Sequence, residues 1–158
     1  MSYAAAGGHG LSSAITKADF SQLAILVIDD SHYVRRLLQE LLISFGVGKV
    51  LLAEDGAQAF ALMQTNSPDV IICDWQMYPV DGLQILRKLR LDVSSRFARI
   101  PFIMLTGHSG NDDVATAIGE GADSYIVKPF SSATLMRHLL KVIMADRGHV
   151  DHQEAWAV

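Results

Sequence analysis

Three carboxylates, a hydroxyl and an ammonium stand at the ends of short apolar runs in this chain. Asp29 and Asp30 follow residues 23–28, Asp74 follows residues 70–73, Thr106 follows residues 100–105, and Lys128 follows residues 124–127. Carboxylates gathered together repel one another, so their charged forms are disfavoured until a cation neutralises them. A hard divalent ion with oxygen ligands and bound water suits such a set: Mg²⁺, or Mn²⁺ in its place. Lys128 adds a point charge matched to a phosphoryl oxygen, and Thr106 offers a hydroxyl to another. A carboxylate nucleophile clamped by metal and lysine is a known arrangement for forming an aspartyl phosphate. The residue types therefore point to phosphoryl transfer onto an Asp.

For this chemistry the five positions must share one rim, and the pattern around them supplies it. Leu23, Ala24, Ile25, Leu26, Val27 and Ile28 form a continuous apolar run, as expected of a strand buried on both faces. Ser31 then offers an N-cap. Val34, Leu37, Leu38, Leu41, Leu42 and Phe45 recur at helical spacing until Gly46. The alternation repeats, with strands predicted at 50–53, 70–73, 100–105 and 124–127. Helices are predicted at 57–64, 83–91 and 112–119, and from Ser131 or Ser132 to about Ala145. Glu54, Asp55 and Gly56 read as an ordinary turn. Repeated strand–helix units imply an α/β fold with a doubly wound, five-stranded parallel sheet and helices on both faces. Ligands of such sheets sit outside the carboxyl ends of the strands, where these residues fall.

The chain has 158 residues and a mass of 17.2 kDa, consistent with one domain. Residues 1–21 read as a flexible N-terminal extension, 22–146 as the folded domain and 147–158 as a short polar tail. Thirteen Lys and Arg against 17 Asp and Glu give a net charge of −4, which argues against a nucleic-acid partner. The single cysteine, Cys73, excludes an internal disulfide framework and reads as a small core residue. No apolar run approaches the roughly 18–20 residues that cross a bilayer. No secretory leader is recognisable, so a cytoplasmic protein without membrane insertion is expected.

With these residues in place, the sequence resembles the receiver domain of bacterial two-component response regulators, especially single-domain chemotaxis and phosphorelay members. The resemblance spans about residues 22–146. It rests on Val27-Ile28-Asp29-Asp30, Asp74-Trp75-Gln76-Met77, Asp81-Gly82, Leu105-Thr106-Gly107, and Gly121-Ala122-Asp123 through Lys128-Pro129-Phe130. It implies a flavodoxin-like strand order 2-1-3-4-5 and Asp74 as phospho-acceptor. By the same resemblance Asp30 binds Mg²⁺ directly, Asp29 binds it through water or at longer range, and the Gln76 backbone carbonyl completes the protein ligands. Thr106 and Lys128 hold the phosphoryl group, and Lys128–Pro129 is a cis peptide, which an X-Pro amide makes cheap. Tyr125 falls at the family's aromatic switch, which is coupled to movement of the threonine. Gln76 and His108 occupy places that line the phosphoryl site and tune hydrolysis in the family, and His108 reads either as a residue that alters the phospho-Asp lifetime or as an exposed loop histidine. Two departures stand out: Tyr78 occupies the usual proline place, with Pro79 following, and Val80 replaces a common Met.

The expected function is a stand-alone regulator, with catalysis limited to its own phosphorylation and slow dephosphorylation. It takes a phosphoryl group from a histidine kinase or histidine phosphotransfer protein and then binds a target or passes the phosphate on. His32 and Tyr33 read either as contacts for the donor or as solvent-facing residues. On the last helix, Leu135, Leu139, Val142 and Ile143 supply one docking stripe. The surplus Met136, Leu140 and Met144 read as a partner or homodimer surface, or as a wider core-facing arc. A downstream target is expected on the last helix and fifth strand. His149, Asp151 and His152 could imitate a metal pair but sit in a short polar stretch. Two other readings are an aspartyl-phosphate hydrolase and a scaffold that is never phosphorylated. Such hydrolases resemble D-x-D at the first strand, whereas here Asp29 and Asp30 are adjacent. The dozen or so residues after Ala145 are too few for a helix-turn-helix unit, so a transcription factor is not expected.

Overall fold

The computed structural model describes residues 20–108 and 110–156. Successive side chains of a strand point to opposite faces, and in this chain both sets are apolar. Ile25 and Val27 face one layer while Leu26 and Ile28 face the other, and all four are buried. A sheet with two apolar faces must be covered twice, and the intervening amphipathic segments do so.

The elements are β1 (Ala24–Ile28), α1 (His32–Ser44), β2 (Lys49–Ala53), α2 (Gly56–Thr65) and β3 (Val70–Asp74). They continue as α3 (Gly82–Leu91), β4 (Phe102–Thr106), α4 (Asn111–Gly119), β5 (Ser124–Val127) and α5 (Ser132–Trp156). The five strands are parallel, in the order β2-β1-β3-β4-β5, the flavodoxin-like order expected. One core packs Leu26, Ile71, Phe102 and Met104 against Met63, Leu86, Leu89 and Ala117. The other packs Ile25, Ile72, Ile103 and Ile126 against Leu38, Leu42, Leu135 and Leu139. Strand order reverses between β1 and β3, which creates a crevice at their carboxyl ends.

Local signals set the helix ends. Ser31 caps α1 by accepting from the Val34 N–H at 3.3 Å. Asp55 caps α2, and Asp81 opens α3 in a reciprocal capping box with Gln84. Gly46 takes φ +94° just past α1, a conformation that glycine adopts without a Cβ clash. The Lys128–Pro129 peptide is cis, and so is Tyr78–Pro79.

Three features differ from expectation. Phe20, assigned to the N-terminal extension, is fully buried, and its carbonyl accepts from the Leu23 and Gly48 N–H groups. Leu37, expected on the apolar face of α1, is exposed, because Leu38 and Leu42 carry the buried stripe. Helix α5 does not stop near Ala145 but runs to Trp156. No proline interrupts it, and a single glycine, Gly148, weakens a helix by about 1 kcal/mol without ending it. On α5 the surplus residues divide: Met136 and Leu140 pack partly buried against the core, while Met144 is exposed. Residues 1–19 and the side chains of His149, Asp151 and His152 lie outside the described residues. Among those described, no helix is long and apolar enough to cross a membrane.

Candidate functional site

The strand ends deliver the expected side chains to one place. β1 ends at Ile28, so Asp29 turns under the sheet edge while Asp30 emerges beyond it: Asp29 is 1% exposed and Asp30 lies at the surface. β3 carries Asp74 as its last residue, 4% exposed, and β4 ends on the fully buried Thr106. β5 stops at Val127, which places Lys128 alongside. The carboxylate oxygens of Asp29, Asp30 and Asp74 come within 4.8 Å of one another.

Asp29 is fixed from two sides. Its Oδ1 accepts from the Ser31 N–H at 2.9 Å and its Oδ2 from Lys128 Nζ at 3.2 Å. Lys128 Nζ also donates to Asp74 Oδ1 at 2.9 Å. Burial pushes the Asp74 carboxyl above its ordinary value, and the charges of Asp29 and Asp30 push the same way. The Lys128 hydrogen bond opposes them without cancelling them. Burial by itself would lower Lys128, yet its bond to Asp74 and the charges of Asp29 and Asp74 hold it above the usual lysine range. One ammonium thus faces three carboxylates. The residual negative charge and the hard oxygen donors fit a divalent cation.

Gly82 explains how the loop after β3 packs so close to the acceptor. A Cβ on this residue would lie 2.3 Å from the Asp74 carbonyl oxygen, so only glycine permits the approach. The Gly82 N–H donates to the Trp75 carbonyl at 2.9 Å, which closes the loop. The Asp81-Gly82 pair therefore caps α3 and backs the acceptor strand at once. The displaced proline falls in this loop, where Tyr78, Pro79 and Val80 are exposed. Beneath it Met77 is buried.

Thr106 joins a hydrogen-bonded chain. Its Oγ1 accepts from Gln76 Nε2 at 2.8 Å and from the His108 N–H at 3.0 Å. Gln76 Oε1 accepts from the Gly107 N–H at 3.2 Å. The Tyr125 hydroxyl donates to the His108 carbonyl, and its ring stands edge-on to Trp75 with centroids 6.3 Å apart. Burial raises the Tyr125 phenol, while a bond with the Thr106 hydroxyl works the other way. All eight expected residues, Asp29, Asp30, Asp74, Gln76, Thr106, His108, Tyr125 and Lys128, thus meet in two linked groups. His108 enters through its backbone, and its ring is at the surface. Neither the Gln76 side-chain bridge nor the Trp75–Tyr125 contact was legible, because both depend on loop conformation. The mouth carries His32 and Tyr33, both exposed.

A doubly wound parallel sheet with an acidic group, a lysine and a hydroxyl at its carboxyl rim is the arrangement expected of a receiver domain. Residues 25–140 match the family model of the response regulator receiver domain, and the chain belongs to that family. The chemotaxis protein CheY1 of Helicobacter pylori is 39% identical over 122 residues, covering 77% of this chain and 97% of that protein. The CheY homologue of Campylobacter jejuni is 35% identical over 127 residues, covering 80% of this chain and 96% of that protein. Among solved structures, chemotaxis protein CheY4 of Vibrio cholerae superposes with a TM-score of 0.70 at 31% identity. That match covers 76% of this chain and 98% of the other.

Proposed function

We propose that Asp74 is the phospho-acceptor of a cytoplasmic two-component signalling protein, charged by a histidine kinase or a histidine phosphotransfer protein. One Asp74 carboxylate oxygen attacks the phosphorus of a phosphohistidine. The phosphorus–nitrogen bond breaks, the imidazole leaves with its electron pair and takes up a proton, and an acyl phosphate remains on Asp74. The single observation that carries this reading is Asp74 itself, buried at a strand end within hydrogen-bond reach of Lys128 and grouped with Asp29 and Asp30.

Asp29, Asp30 and Asp74, with the Gln76 backbone carbonyl, would hold Mg²⁺, which supplies charge neutralisation to the transferring group. Lys128 gives up its contact with Asp74 to meet a phosphoryl oxygen, and Thr106 turns its hydroxyl to another. Tyr125 follows the segment that carries Thr106 and His108, and so passes a local charge event to the surface of β5 and α5. A partner reads that surface, or the phosphate is relayed onward. The two relatives above are named as chemotaxis proteins, which makes a motility pathway the first to examine.

The test is incubation of the full chain with Mg²⁺ and a small acyl phosphate, read by intact mass. A gain of one phosphoryl group that needs Mg²⁺ and vanishes in Asp74→Asn is expected. No Mg²⁺-dependent gain would favour a scaffold. Turnover of many equivalents of an unrelated phosphate ester would favour a hydrolase.

A further inference from the structure

A hydroxyl group has one proton to donate and two lone pairs to accept with. At Thr106 both acceptor positions are taken, one by Gln76 Nε2 at 2.8 Å and one by the His108 N–H at 3.0 Å. The carboxamide of Gln76 simultaneously accepts from the Gly107 N–H at 3.2 Å. One planar amide therefore grips both the hydroxyl that a phosphoryl group must recruit and the backbone of the segment that must move. Gln76 lies in the loop directly after the acceptor, two residues from Asp74.

We infer that the Gln76 side chain is a latch that holds the receiver in its resting state by competing with the phosphoryl group for Thr106 and for the Gly107 N–H. The inference rests on Asp74 being the acceptor, and it goes further by assigning a cause to the resting balance. Gln76 acts here as a positioning residue: it touches Thr106 and the Gly107 N–H, and its effect on the switch passes through those two groups. Recruitment of Thr106 by a phosphoryl oxygen exchanges the amide–hydroxyl bond for a charge-assisted one. The switch is then driven by the difference between the two bonds. Weakening the latch costs the phosphoryl-bound state nothing and destabilises only the resting state. It therefore shifts the population towards the activated form.

The probe is beryllofluoride, a phosphoryl analogue that binds a carboxylate, titrated in Mg²⁺ and followed by Trp75 fluorescence. Gln76→Met keeps the side-chain length and removes both hydrogen bonds. Two net hydrogen bonds of ordinary strength correspond to about a fivefold to 150-fold change in an equilibrium constant. Gln76→Met is therefore expected to reach half-saturation at about five times less beryllofluoride, or lower. Without any analogue, the Gly107 amide should exchange with solvent faster in this variant. In a Thr106→Val background only the Gly107 contact remains for the amide, so the further change to Gln76→Met should shift half-saturation by clearly less than it does in the parent. A half-saturation that is unchanged or raised in Gln76→Met overturns the latch, as does an equal shift in the two backgrounds. Failure of the parent to respond at all, with Asp74→Asn behaving identically, instead removes the acceptor reading and the latch with it.

Discussion

The Lys128 ammonium donates to Asp74 Oδ1 at 2.9 Å, and the same nitrogen reaches Asp29 Oδ2 at 3.2 Å. One cation thus occupies the space between two buried carboxylates and competes with any divalent ion for their charge. Replacing it by a neutral chain of similar length separates its two roles. In Lys128→Met, Mg²⁺ is expected to bind about threefold more tightly or better, since a like charge has been removed. Phosphoryl uptake should nevertheless fall by about 100-fold, because a donor to the transferring group is lost. Titration of Trp75 fluorescence with Mg²⁺ and a mass time course measure the two effects.

The Asp74 carboxyl is raised by burial from its ordinary value, so the folded protein binds that proton more tightly than the unfolded chain. A group shifted this way contributes stability at low pH and loses it as pH rises through the folded value. At neutral pH its charged form weighs against folding. Asp74→Asn is expected to melt higher than the parent in chelator at pH 7, by about 1 kcal/mol or a few degrees. The gap should shrink on acidification towards the usual carboxylate range, about pH 4. Mg²⁺ should also shrink it, by stabilising the parent through binding. Melting curves at several pH values with and without Mg²⁺ check all three.

At the opposite end of the sheet, Arg90 bonds the carbonyls of Ala98, Ile100 and Gly121 and the carboxylate of Asp123. This guanidinium ties α3 to the starts of β4 and β5, far along the strands from the phosphoryl rim. Arg90→Lys keeps the charge but loses the fork. It should cost about 2–4 kcal/mol of stability by leaving carbonyls unpaired. Phosphoryl uptake below the melting range should match the parent. Urea unfolding and the mass assay together separate the two.

Glycines on the rim should differ sharply. A methyl group on Gly82 meets the Asp74 carbonyl, whereas one on Gly107 meets nothing within 4 Å. Gly82→Ala is expected to lose about 1–3 kcal/mol and to slow uptake as β3 shifts. Gly107→Ala should stay within about 0.5 kcal/mol of the parent. Denaturant midpoints and uptake rates of the pair give the comparison.

The strands were legible because a doubly buried strand leaves an uninterrupted apolar run, as at residues 70–73, and a polar residue marks where it stops. Asp29, Asp74, Thr106 and Lys128 were legible as one group for the same reason: parallel strands bring their carboxyl ends together. Side chains whose partners are set by loop path were not. The resemblance placed Gln76 beside the phosphoryl site, but only the turn after β3 aims its amide at Thr106. Arg90 sits in a helix whose charges look solvated, and nothing local announces the carbonyls that converge on it. Phe20 lies in a polar, glycine-rich context and is buried only because Gly48 lets the chain approach. At that residue a Cβ would collide with the Ser21 carbonyl.

The central claim is that Asp74 carries the phosphoryl group, and chemical trapping of the acyl phosphate tests it most directly. After incubation with Mg²⁺ and acetyl phosphate, borohydride reduction converts a phosphorylated aspartate to homoserine, which peptide mass mapping locates. The expected result is homoserine at position 74 and nowhere else, absent without Mg²⁺ and absent in Asp74→Asn. Homoserine at position 29 or 30, or an unmodified Asp74 under conditions that phosphorylate a control receiver, would contradict the account.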